Sequence, residues 1–129
     1  MRHLTLAVAG ALVLVAGSTT AQTSPRNLDT FVTEGNRIPK NPTALLRADT
    51  RRLMGEYRSG VRTVVTRIGE DRAAGRTPPA CPPDGFGGHP MEMLAFLNFG
   101  NGIPQPRRAE MTVADGIQTW IASRYPCAA

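Results

Sequence analysis

Residues 43–70 read TALLRADTRRLMGEYRSGVRTVVTRIGE, and the spacing of their apolar side chains decides the fold class. At about 100° per residue, Leu46, Leu53, Tyr57, Val61, Val64 and Ile68 fall on one stripe, with Met54 and Val65 on its flanks. That is the period of an amphipathic helix with one buried face. Thr43 stands where an N-cap is expected. Thr77-Pro78-Pro79 cannot continue the helix, so it fades over residues 69–75. Gly55 and Gly60 each weaken it by about 1 kcal/mol relative to Ala and predict a kink. On the same wheel Arg47, Arg51, Arg58 and Arg62 gather beside the stripe, while Asp49, Glu56 and Glu70 take the other flank.

Reading outward, residues 28–38 (LDTFVTEGNRI) predict a short helix that buries Phe31, Val32 and Ile38 and is interrupted by Gly35, before Pro39 and Pro42 break the chain. Downstream, residues 81–89 (CPPDGFGGH) form a loop by their Pro and Gly content. Pro90 suits a first helical turn, and Met91, Met93, Leu94, Phe96 and Leu97 supply an apolar helix that ends near Gly100. Residues 100–106 read as a second loop. A last helix starts near Pro106 or Arg107, carries Val113, Ile117, Trp120 and Ile121 on its core face, and ends at Tyr125 before Pro126. No stretch alternates with period two, so the expected class is all-α, a small single-domain bundle of about four helices.

The length of 129 residues, with 41% hydrophobic and 19% charged content, allows one small domain. Its formal charge of +5 is almost entirely arginine, Lys40 being the single lysine. The N-terminus takes its own share. Arg2 and His3 precede an uncharged apolar run over residues 4–16, and Thr19 and Ala21 stand at −3 and −1 of a cleavage site, which reads as a secretory signal peptide over residues 1–21. The run is too short to span a bilayer, and no cysteine lies near the cleavage site to carry a lipid. The expectation is therefore an exported chain without a stable membrane anchor, with a flexible leader over residues 22–30 and a helical domain over residues 31–129. In an oxidising compartment Cys81 and Cys127, the only two thiols, are expected to pair. Closing a loop of that size stabilises the fold by about 4 kcal/mol in the chain-entropy model.

Parts for chemistry are scarce. His89 is the one histidine left after signal cleavage and Cys81 is committed to the disulfide, so neither a zinc site nor any other metal or cofactor site is expected. Ser59 and Ser123 lie in helical stretches without a histidine partner, and Glu92, Glu110 and Asp115 show no spacing that singles out a carboxylate pair. Gly85-Phe86-Gly87-Gly88 has the glycines of a phosphate loop without the strand or the Gly-Lys-Ser/Thr. The reading is a protein that is not an enzyme. Nucleic acid is also not expected, because aromatics are 5% of the chain and none interleave with the arginines. Two features remain as candidate partner-binding elements. Phe86, an aromatic between glycines, suits a hot spot in the loop over residues 82–89, with a second loop over residues 100–105 beside it; the same ring can equally fold back as a core plug. Arg47, Arg51, Arg58 and Arg62 form the competing surface and would bind by electrostatics.

Four pieces occur in an order that resembles the Rap/Tai-type immunity proteins of type VI secretion. They are Glu34-Gly35-Asn36-Arg37-Ile38, Tyr57-Arg58-Ser59-Gly60-Val61, Cys81-Pro82-Pro83-Asp84-Gly85 and Tyr125-Pro126-Cys127. The resemblance implies a helical, disulfide-bonded periplasmic protein whose fold is related to the acid chaperone HdeA, and a job of inhibiting a peptidoglycan amidase effector. The chain departs from the family pattern at Met54, where a helix cysteine is usual, and at Glu56, where a glycine is usual. The partner cysteine around residues 39–41 is missing too, so one disulfide is lost as a unit. Gly87-Gly88-His89-Pro90 replaces a threonine-capped helix start. Tyr57 and Gly60 on one helix are expected to let a neighbouring helix come close. Two other readings stand beside the immunity protein: an HdeA-like periplasmic chaperone or stress protein, and a small secreted enzyme.

Overall fold

Helix α1 (Leu28–Arg37) begins at Asn27, whose side chain accepts from the Thr30 N–H at 2.8 Å. The computed structural model describes residues 26–128, so the signal peptide expected over residues 1–21 lies outside the described residues. Leu28, assigned by sequence to the leader, is fully buried, and its N–H donates to the Met111 carbonyl at 2.8 Å. The folded domain therefore takes in residues 28–30. Gly35 does not interrupt α1; it lies inside the helix, buried against Leu97.

Five α-helices and one short 3-10 turn are the regular elements of the described residues, with no strand among them. The domain is all-α, as expected, with one helix more than the sequence suggests. After α1 come the 3-10 turn Pro42–Leu46, α2 (Ala48–Ala73), α3 (Pro90–Asn101), α4 (Gln105–Glu110) and α5 (Val113–Arg124). Thr43 is not the N-cap of the long helix. Asn41 caps the 3-10 turn that comes first, accepting from the Ala44 N–H, and Pro42 occupies the first position of that turn. The chain then straightens at Arg47 before α2 starts at Ala48. Leu46 is thereby taken out of the α2 register and stands 76% exposed. The rest of the stripe holds: Leu53, Tyr57, Val61, Val64 and Ile68 are buried, as is Met54, while Val65 faces outward.

α2 continues through Gly55 and Gly60 as a single helix of 26 residues. The two glycines differ in what surrounds them. A Cβ on Gly55 would meet open space, whereas one on Gly60 would lie 2.6 Å from Ile117 Cδ1, because α5 packs across α2 there. Gly55→Ala is therefore expected to raise stability by up to about 1 kcal/mol through helix propensity. Gly60→Ala is expected to lower it by about 1–2 kcal/mol, since Ile117 is fully buried and overpacking outweighs that gain. Chemical denaturation of the two variants side by side checks the sign of each.

The single C-terminal helix of the sequence reading is two helices. Met111 is extended, and Thr112 starts α5 by a reciprocal cap: Asp115 N–H donates to Thr112 Oγ1 at 3.1 Å and Thr112 N–H to Asp115 Oδ2 at 3.2 Å. This is a capping box with Asp in the place of the usual Glu or Gln. The core lies among α1, α2, α3 and α5, where the Phe96 ring centroid is 5.7 Å from that of Phe31, 5.9 Å from Tyr57 and 5.5 Å from Trp120. Tyr125 ends α5, its carbonyl accepts from the Cys81 N–H at 2.9 Å, and Cys81 and Cys127 are joined as a disulfide. The end of α5 is thus stapled to the loop that precedes α3.

Candidate protein-binding surface

Phe86 is not an exposed hot spot. Gly85 and Gly87 both have positive φ, 78° and 92°, which turns the loop back over the core. At Gly87 any side chain would also collide with Val61. Phe86 is delivered 5.6 Å from the Trp120 centroid and edge-on to Tyr125 at 5.4 Å, half-buried. The core-plug alternative describes it. Phe86→Ala is therefore expected to cost about 2–4 kcal/mol in stability, read as a lower melting temperature.

The second expected loop is equally fastened. It shrinks to the turn over residues 102–104 between α3 and α4, Ile103 is half-buried, and Gln105 Nε2 donates to Asp29 Oδ2 at 3.2 Å. Arg108 ties the same segment down, through Asp29 Oδ1 at 3.0 Å and the carbonyls of Gly100 and Ile103.

Of the four arginines, Arg51, Arg58 and Arg62 lie exposed along α2 as expected. Arg47 does not share their face, since it precedes the helix and clasps Asp49 through Nε at 3.0 Å and Nη2 at 2.8 Å. That guanidinium holds the Asp49 carboxyl down at about 2. Arg52, outside the expected stripe, joins Arg26 in pairing with both Glu34 and Glu56, which fastens Arg26 to α1 and α2. The Arg26 guanidinium, ahead of that of Arg52, keeps the Glu34 carboxyl below the usual glutamate range against the opposing effect of burial. A carboxylate with a depressed folded pKa contributes stability that is present above its unfolded value and lost as pH falls through the folded one. The melting temperature is therefore expected to fall as pH drops below about 4.3, and less steeply in Glu34→Gln.

Sequence reasoning missed an apolar groove. It runs between the end of α1, the 3-10 turn, the start of α2 and α3, and has a volume of about 560 Å³. Ile38, Ala44, Met54, Met93 and Leu97 lie deep in it, and Leu45, Met91 and Leu94 stand on its lips, 55%, 61% and 40% exposed. Of the apolar residues expected on this helix, Met93, Phe96 and Leu97 are buried, whereas Met91 and Leu94 are on the surface. The available signal was Leu45-Leu46, two leucines in a short segment bounded by Pro42 and Arg47. Thr50 lies in the lining, is 3% exposed, and its hydroxyl has no hydrogen-bond partner. The other buried hydroxyl without a partner, that of Tyr57, is pushed well above its ordinary value, chiefly by burial.

His89 serves the helix start: its Nδ1 accepts from the Met91 N–H at 3.1 Å, and its own N–H donates to Glu92 Oε2. Among the described residues no three His, Cys, Asp or Glu side chains gather as a metal site, and no helix is long and apolar enough to cross a membrane. Compared with protein-family models, curated proteins and solved structures, the chain matches none.

Proposed function

We propose that this protein is an exported, non-enzymatic binding domain of the periplasm that inhibits a peptidoglycan amidase effector, in the manner of the type VI immunity proteins it resembles. The observation that carries the reading is the apolar groove with its exposed lips on a disulfide-closed domain. Large exposed apolar patches on small proteins mark interaction sites. The disulfide suits an oxidising compartment. His89 is engaged in capping α3.

The test pairs binding with activity. Protein purified from the periplasm is immobilised, its partners are identified by mass spectrometry, and the amide-bond hydrolysis of any captured peptidoglycan hydrolase is measured with and without the protein. Stoichiometric inhibition of a captured amidase is the expected result. Capture without a peptidoglycan hydrolase, or an amidase unaffected by saturating protein, overturns the reading.

A further inference from the structure

We infer that the groove receives an amphipathic helical segment of a partner protein, with apolar side chains at i, i+3 and i+7 and carboxylates along one flank. This rests on the protein-binding reading above and specifies the chemistry of what binds. Two observations converge on it.

The first is shape. The lips face each other from different elements, Leu45 on the 3-10 turn and Met91 with Leu94 on α3, and a volume of about 560 Å³ lies between them. Met91 and Leu94 are three apart, so they project from one face of their helix. Exposed lips on both sides of an apolar trough are the arrangement into which an amphipathic helix lays its apolar face. An acyl chain would fill the floor and leave Leu45 and Met91 in water, whereas a helix covers both. Met54, Met91 and Met93 add side chains that adapt to whatever enters.

The second is charge. No Asp or Glu lines the groove, and Lys40, the only lysine of the chain, is the one charged residue that does. Arg37 adjoins Ile38 at one end; of the carboxylates next to lining residues, Glu34 and Asp49 are paired with arginines and Glu92 accepts from the His89 N–H. Along α2, Arg51 follows Thr50 directly and Arg58 lies one turn beyond Met54, both exposed. The surviving arginine stripe therefore leads away from the groove's edge. A rim of this sign favours a carboxylate-bearing segment and speeds its encounter.

The experiment uses the purified protein and two fluorescein-labelled designed helical peptides. Both carry Leu at i, i+3 and i+7; one has Glu along a flank and its twin has Lys there. Fluorescence anisotropy is expected to show the acidic peptide binding at least about tenfold more tightly than the twin. Met91→Asp and Lys40→Glu, both at exposed positions, are each expected to weaken it about tenfold or more while leaving the melting temperature within a few degrees. In amide NMR spectra the largest shifts are expected at Leu45, Thr50 and Leu94. Equal affinity of the twins, unaltered binding by Met91→Asp, or shifts centred on α5 would overturn the inference. So would dodecanoate binding at one equivalent and displacing the peptide, which would make the groove an acyl site. No amidase is needed, so the two ideas fail separately. An amidase inhibited equally by the parent and by Met91→Asp sinks the groove proposal alone. A groove that takes the acidic peptide in a protein that inhibits no amidase sinks the immunity reading alone.

Discussion

Replacing Cys81 and Cys127 together by alanine is expected to remove about 4 kcal/mol of stability, the largest single loss available to this chain short of emptying its core. The cysteines are 46 positions apart, so the bridge closes a long loop that includes α3, α4 and α5. Domains of this size hold about 5–15 kcal/mol in total. At about 4–8 °C per kcal/mol the melting temperature should drop by on the order of 20 °C. The disulfide also anchors a local structure. Cys81 N–H bonds the Tyr125 carbonyl, Phe86 packs on Tyr125 and Trp120, and Arg124 lies over both of those rings. Without the bridge, hydrogen exchange should therefore rise first in residues 78–89 and at the end of α5. A double variant that melts within a few degrees of the parent would show that the aromatic packing alone holds this end of the domain.

Phe96→Ala is the second substitution expected to have a large effect, about 3–5 kcal/mol. Phe96 is fully buried and its ring meets those of Phe31, Tyr57 and Trp120, so it contacts α1, α2 and α5 from its place on α3. Truncation leaves a cavity that none of these helices can close without losing contacts elsewhere. Phe96→Leu keeps most of the volume and should cost about 1.5 kcal/mol or less. Denaturant unfolding of the two variants gives the comparison. Similar losses for both would mean that the aromatic contacts, and not the volume, carry the energy.

Much of the fold is legible in the one-dimensional pattern. The buried face of α2 over Leu53, Tyr57, Val61, Val64 and Ile68 follows from spacing alone. So does the close approach at Gly60, because a glycine on a buried stripe leaves room for a neighbour, here Ile117. The break between α4 and α5 was written in Thr112-Val113-Ala114-Asp115, but Asp stands where the usual box has Glu or Gln. Leu46 misleads for a related reason. Its spacing fits the stripe, yet Asn41 and Pro42 start a separate 3-10 turn and Arg47 resets the chain before α2.

The sequence by itself determined the all-α class, the long amphipathic helix and the pairing of the two cysteines. Each depends on periodicity or on a count of residues, and both survive without knowledge of neighbours. Tertiary structure alone decided the surface. Phe86 looks exposed between its glycines until the positive φ angles of Gly85 and Gly87 fold it onto Trp120. Met91 and Leu94 belong to an apolar helix, and only the gap between α1, the 3-10 turn and α3 leaves them uncovered. Burial depends on which elements lie opposite, and for the groove those elements come from residues 35–54 and 90–98, far apart in the chain. Hydrophobicity says that a side chain gains from being covered; only the packing of the other helices says whether the chain itself supplies the cover.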